Sequence, residues 1–201
     1  YTLSGQTMGT TWSVKTVGLP AGATLPELQR DLIALLVTLN NQMSTYQEDA
    51  EISRYNQLAA GQWQQVSADF LAVLMLSMEL AGQTGGAYDP TVGPLVNAWG
   101  FGPQSAPLKP PEEEVLVAAR ARIGFQRVQV DAERSAVLQP GGVYLDFSSV
   151  AKGYAVDKLA DFLAARGVDA YLVEIGGELR AAGRKPDGSP WRIAVEKPVP
   201  G

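Results

Sequence analysis

Five short strings hold the residues whose types and spacing could do chemistry. Asp146-Phe-Ser-Ser-Val-Ala-Lys-Gly-Tyr-Ala-Val-Asp157 reads as a strand end, two serines at a helix start and Lys152 inside the first turn. The first N–H groups of a helix lack intrahelical partners, and the helix dipole is positive there, so such a start attracts phosphate. Lys152 adds a full charge, and Ser148 and Ser149 add hydroxyl donors. The same string also describes a plain serine N-cap with a solvated lysine, and Asp146 could cap or coordinate. It lacks the Walker spacing G-x-x-x-x-G-K-[ST].

Gly85-Gly-Ala-Tyr-Asp-Pro-Thr-Val-Gly-Pro94, continued by Leu-Val-Asn-Ala-Trp-Gly-Phe-Gly-Pro103, is rich in glycine and proline. Glycines let a backbone approach a ligand closely. Asp89 can accept hydroxyl or amino hydrogens, and Tyr88 or Trp99 can stack on a ring. A connector whose aromatics plug the core fits equally. In Val173-Glu-Ile-Gly-Gly-Glu178, Glu174 alternates with strand apolars, so it is either a site carboxylate or part of an exposed edge. Met8, in Gly5-Gln-Thr-Met-Gly-Thr-Thr-Trp12, could cover an aromatic ring through its thioether or simply fill the core. Tyr46, in Met43-Ser-Thr-Tyr46, could stack on a flat ligand.

Composition narrows the chemistry. The 201 residues contain no Cys and no His. That removes disulfides, thiol nucleophiles, zinc fingers and a Ser-His-Asp triad from these residues, and any metal must take oxygen ligands such as magnesium or calcium prefer. A net charge of -5 without a basic run disfavours nucleic acid. No apolar run approaches the length of a membrane span. Hydrophobic residues at 46% are enough for an ordinary core.

The elements that must position these residues follow from periodicity. Residues 1–17 read as one or two strands, then a turn over Gly18–Gly22. Thr24-Leu-Pro-Glu27 is a capping box that opens a helix with Leu28, Leu32, Leu35, Leu36 and Leu39 on one face. A loop and a short helix from about Ala50 come next. Ser67 caps a helix to about Gln83, apolar on most sides and hence central. Residues 84–111 form a long irregular segment, followed by a helix from Pro111 to about Arg122. Strands are expected at RVQVD, AVLQP and VYLDF, then a helix capped by Ser148 or Ser149 up to about Arg166. Strands AYLVEI and ELRAAG flank a bend at Gly176–Gly177, and WRIAVEKP is a last strand. The fold class is α+β, a mixed and mostly antiparallel sheet with packed helices, in a single domain over 1–201. The chain opens without a Met start or export signal and stops just after a strand, so it is expected to be a mature or trimmed chain whose domain is incomplete at its C-terminus.

Taken in order, MGTTW, LNNQMSTYQEDAEISRYN, TGGAYDPTVGPLVNAWGFGP, DFSSVAKGYAVD and VEIGGELRAAG resemble the ApbE family of FAD:protein FMN transferases, from residue 8 to about 197. The resemblance implies an ApbE-like, T-fold-related domain that binds FAD and, with magnesium, moves its FMN half to a Thr or Ser hydroxyl of a target protein, releasing AMP. It implies that Met8 and Tyr46 contact the dinucleotide, that Ala87, Tyr88 and Asp89 line it, and that Ser148 and Lys152 lie near its ribose or pyrophosphate. The Ala151 backbone carbonyl would be a magnesium ligand, and Glu174 would lie beside the site. Targets would be flavoprotein subunits of membrane redox complexes, and the location periplasmic, with a lipoprotein anchor as the membrane link. Family members carry a Ser-His-x-x-Asp-Pro-type string and an Asp/Thr metal motif that these residues lack. Two other outcomes stay open: an FAD pyrophosphatase giving FMN and AMP, and a non-catalytic extracytoplasmic flavin-binding protein.

Overall fold

The computed structural model describes residues 1–103 and 109–194. In chain order its elements are β1 (Thr2–Thr7), β2 (Thr10–Thr16), α1 (Leu25–Met43), α2 (Glu51–Gln57), β3 (Trp63–Gln65), α3 (Ala68–Gln83), α4 (Gly93–Ala98), α5 (Glu113–Arg120), β4 (Gln129–Asp131), β5 (Ala136–Leu138), α6 (Ala151–Ala164), β6 (Tyr171–Ile175) and β7 (Glu178–Ala182), with a 3-10 turn at Phe125–Arg127. Every strand pairing among the described residues is antiparallel, so the architecture is α+β as expected. Contacts divide the chain into two compact units, Tyr1–Leu35 with Ala155–Gly201, and Leu36–Tyr154.

The first unit is built on a four-stranded sheet in the order β1-β2-β6-β7. Register explains its buried face: Leu3 pairs with Val14 and Val14 with Val173, while Trp12 pairs with Ile175, and all five are buried. Such cross-strand apolar pairs are the unit of sheet stability. Both hairpins turn through two residues with positive φ, Met8 (49°) with Gly9 (71°) and Gly176 (56°) with Gly177 (100°), the geometry whose twist matches the flanking strands. The capping box forms: the Glu27 carboxylate accepts from Thr24 N at 2.8 Å, and Thr24 Oγ1 accepts from Glu27 N at 3.4 Å. Leu28 and Leu32 of α1 are buried, as are Leu159 and Leu163 of α6. The strand expected over WRIAVEKP is not observed at residues 191–194, where Trp191 instead donates its indole N–H to Ala182 O at 2.8 Å; residues 195–198 lie outside the described residues.

The second unit holds the three-stranded sheet β3-β5-β4 and the helices α2 to α5. Ser67 caps α3 as its sequence predicts, its side chain accepting from Phe70 N. Phe70, Val73, Leu74, Ser77 and Ala81 form the buried face, and Phe70 meets Phe147 edge-on at 5.2 Å between ring centroids. Met75 and Leu76 remain exposed, so α3 is buried on one side rather than on most. Two elements were not expected. β3 is three residues of polar sequence recruited by pairing with β5, and α4 forms inside the glycine-proline stretch, helped by a proline in its first turn.

VYLDF does not become a strand. Four of its backbone groups bond to side chains instead of a ladder. Asn56 donates to Leu145 O at 2.9 Å and accepts from Leu145 N at 2.7 Å. Gln139 donates to Val143 O at 3.0 Å and accepts from Val143 N at 3.2 Å. Asp146 N donates to Pro90 O at 2.8 Å. An amide side chain offers the same donor and acceptor as a neighbouring strand, and these satisfy the segment first.

Tyr55 is wholly buried and donates its hydroxyl to Leu138 O at 3.0 Å. Burial pushes this hydroxyl far above the ordinary tyrosine range. Because the folded state holds the proton more tightly than the unfolded one, stability is full below the unfolded value near 10 and falls as pH rises beyond it. Urea titrations at pH 8 and pH 11 should show a loss that Tyr55→Phe reduces; an identical pH slope in that variant would remove Tyr55 as its source.

Candidate functional site

The loop after α3 is held by one carboxylate. Asp89 Oδ1 accepts from Thr91 N at 2.8 Å and from Thr91 Oγ1 at 2.6 Å, and Oδ2 accepts from Phe125 N at 3.0 Å. Thr91 Oγ1 in turn accepts from Gly124 N at 2.8 Å. Asp89 therefore staples the loop to the turn before β4, and a ligand reaching it must compete with these donors. Ala87 is exposed, its amide bonded to Thr84 O at 3.2 Å, and Tyr88 is half-buried with its amide on Thr84 Oγ1 at 3.1 Å. The Tyr88 hydroxyl is buried without a hydrogen-bond partner.

Tyr46 lies in the turn after α1, with 65% of its surface exposed. Its hydroxyl donates to Phe101 O at 2.9 Å, which ties the Tyr46 turn to the segment after α4. Trp99 and Phe101 are exposed on that segment. An exposed tyrosine anchored at its hydroxyl offers a ring face to a planar ligand.

The start of α6 differs in detail from its expectation. Neither serine is the residue that immediately precedes the helix; a turn at 148–150 intervenes. Asp146, buried, accepts from Ser148 N at 2.7 Å, so this aspartate orders the entry to the helix. Ser148 is exposed, and Lys152, the second helical residue, is half-buried. Ala151 is buried at the first helical position, where its carbonyl belongs to the helix's own ladder and keeps one further lone pair. Among the described residues no three acidic side chains gather as a metal-binding group. The Ala151 carbonyl alone does not make a magnesium site.

In the sheet unit, Met8 occupies the first position of the β1–β2 turn, half-buried and in a left-handed conformation unusual for a side chain larger than Asn. Strain of this kind concentrates at functional positions. Glu174 Oε1 accepts from Gly177 N at 2.8 Å, and Oε2 accepts from Ser13 Oγ at 3.4 Å. Gly176 N bonds to Thr11 O at 3.1 Å, so the glycine turn and the Met8 turn share one end of the sheet. Met8 and Glu174 thus belong to that sheet end, while Tyr46, Ala87, Tyr88, Asp89, Ser148, Ala151 and Lys152 belong to the other unit.

Two polar residues of the second unit escaped the sequence reading. Tyr144 falls in the expected strand VYLDF, and Asn97 in the expected irregular segment 84–111. Burial pushes the Tyr144 hydroxyl above the ordinary tyrosine range, and Asn97 Oδ1 is buried without a hydrogen-bond partner. No local signal marks either residue: the Tyr144 ring, for one, packs against Gly93, fifty-one residues earlier.

The ApbE family profile matches residues 8–200, and the chain belongs to that family. The FAD:protein FMN transferase of Vibrio cholerae is 45% identical over 196 residues, covering 98% of this chain and 58% of that protein. That of Haemophilus influenzae is 43% identical over 202 residues, again 98% against 58%. The solved flavin transferase ApbE from Vibrio cholerae superposes with a TM-score of 0.94 at 44% identity, covering 98% of this chain and 64% of that one. The chain thus spans somewhat more than half the length of the relatives it matches.

Proposed function

We propose that the protein carrying this chain transfers FMN from FAD to a hydroxyl of a flavoprotein acceptor. One observation carries the reading: a chain alike over 98% of its length to proteins named FAD:protein FMN transferase places each family string at a turn or helix start. In the proposed step the acceptor oxygen, from a Thr or Ser, bonds to the FMN phosphorus. The bond to the AMP phosphate breaks, AMP leaves, and the hydroxyl proton passes to the released phosphate or to solvent. The product is a phosphoester. This chain's residues act by position and charge, as phosphoryl transfer requires. Tyr46 offers a ring face, the Asp89 staple fixes the loop that carries Ala87 and Tyr88, and Lys152 offsets negative charge on the pyrophosphate. By family likeness magnesium would take the Ala151 carbonyl as a ligand from this chain and would supply charge neutralisation at the pyrophosphate. The periplasm, a lipid anchor and acceptors in membrane redox complexes rest on the same likeness; no described helix is long and apolar enough to cross a membrane.

The test is AMP release from FAD and magnesium, with and without a Thr-bearing acceptor peptide. AMP that depends on the peptide is the expected result. AMP at the same rate without it would replace the transferase with a pyrophosphatase, a reading that the exposed aromatic at Tyr46 opposes because it would retain FAD and shield it from water.

A further inference from the structure

Two neighbouring residues in the first turn of α3 grip the entry to α6 at two points. Asp69 Oδ1 accepts from the Tyr154 hydroxyl at 2.7 Å. Phe70 meets Phe147 edge-on, with ring centroids 5.2 Å apart, and both rings are fully buried. Lys152 lies in the chain between these two grips. The backbone there is bonded through: Phe147 O accepts from Val150 N at 3.0 Å and from Ala151 N at 2.8 Å, and Val150 O accepts from Tyr154 N at 3.0 Å. Whatever holds Tyr154 and Phe147 therefore holds Lys152. The start of α3 is itself anchored. Buried Glu51, the first residue of α2, accepts from Ser67 N and from Ser67 Oγ, each at 2.6 Å, and Ser67 Oγ accepts from Phe70 N at 3.3 Å.

The two grips do different things. An edge-on ring pair fixes a distance but leaves a pivot, because it is not directional in the way a hydrogen bond is. A second, directional contact on the next turn removes that freedom. We propose that Asp69 and Tyr154 are positioning residues for the transfer: their hydrogen bond fixes the first turn of α6 against rotation about the Phe70–Phe147 contact, and so fixes the direction in which Lys152 meets the pyrophosphate of FAD. The inference rests on the FMN-transfer reading above. A charge stabilises a transition state only where negative charge builds, and a misplacement of about 1 Å can cost on the order of 100-fold in rate. A loosened turn still samples the productive placement part of the time, so the loss is smaller than that.

Tyr154→Phe keeps the ring and removes only the hydroxyl. In the protein carrying this chain, kcat for FMN transfer to a Thr-bearing peptide should fall about tenfold, while KM for FAD should change by less than about twofold. Asp69 is half-buried, so water can take the place of the lost hydroxyl, and the melting temperature should drop by only about 2–4 °C. Asp69→Ala should reproduce the fall in kcat. Asp69→Asn, whose amide oxygen still accepts the hydroxyl, should recover most of the rate. The route through Lys152 shows in a double-variant cycle: in a Lys152→Ala background, Tyr154→Phe should change kcat by less than about twofold. A merely structural role would carry its full loss into that background. If the parent transfers FMN and Tyr154→Phe does so at the parent rate, the inference is overturned and the FMN-transfer reading stands. The same loss with and without Lys152, or Asp69→Asn as slow as Asp69→Ala, overturns the inference likewise. A parent that transfers no FMN to the peptide overturns both.

Discussion

Gln139→Leu lowers the stability of the Leu36–Tyr154 unit by about 3 kcal/mol and its melting temperature by roughly 10 °C. Gln139 is 1% exposed and makes four side-chain hydrogen bonds: Nε2 to Tyr55 O at 3.2 Å and Val143 O at 3.0 Å, and Oε1 from Gly141 N at 3.1 Å and Val143 N at 3.2 Å. Leucine has similar volume, so no cavity is created and the loss is one of satisfaction. The two Val143 groups are left buried with no water to take the amide's place, and each orphaned buried group costs about 1–3 kcal/mol. Calorimetry on the variant checks this. A shift under about 2 °C would mean that the 143–147 segment finds other partners, and the explanation of why it is not a strand would fail with it.

Lys152→Ala lowers FMN transfer about 100-fold while the melting temperature changes little. The lysine stands on the second residue of α6, where the helix dipole already favours a phosphate. A full positive charge added there acts most on the charge that builds up as the pyrophosphate bond breaks. The expected kinetic pattern is a fall in kcat larger than the change in KM for FAD, since charge development belongs to the transition state. Lys152→Arg should recover part of the rate. Transfer at the parent rate in Lys152→Ala would remove the residue from the reaction.

Much of what positions the site is legible where the signal is local. The Thr24–Glu27 capping box, the Ser67 cap and the double glycine between β6 and β7 each declare themselves within four residues, and each forms. The failures share a different cause. VYLDF has the pattern of a strand, but Asn56 and Gln139 reach its backbone from distant positions. Asp89 resembles a ligand acceptor in sequence, and only the fold reveals that Phe125 N, thirty-six residues later, occupies one of its oxygens. Met8 adopts a backbone conformation that its side chain disfavours, so the β1–β2 turn carries no glycine-first warning. Ser148 and Ser149 have the look of N-caps, yet they lie in a turn ahead of α6, which Asp146 orders by accepting from Ser148 N. Tyr144, flanked by strand-like residues, gives no hint that its ring packs against Gly93.

The proposed reaction moves FMN from FAD to a protein hydroxyl. The most direct measurement is the intact and fragment mass of a Thr-bearing acceptor after incubation with the protein carrying this chain, FAD and magnesium. The expected result is a mass gain of one FMN phosphoester on the Thr, absent when that Thr is replaced by Ala, with one AMP released per modified acceptor. AMP accumulating while the acceptor mass stays unchanged would contradict it.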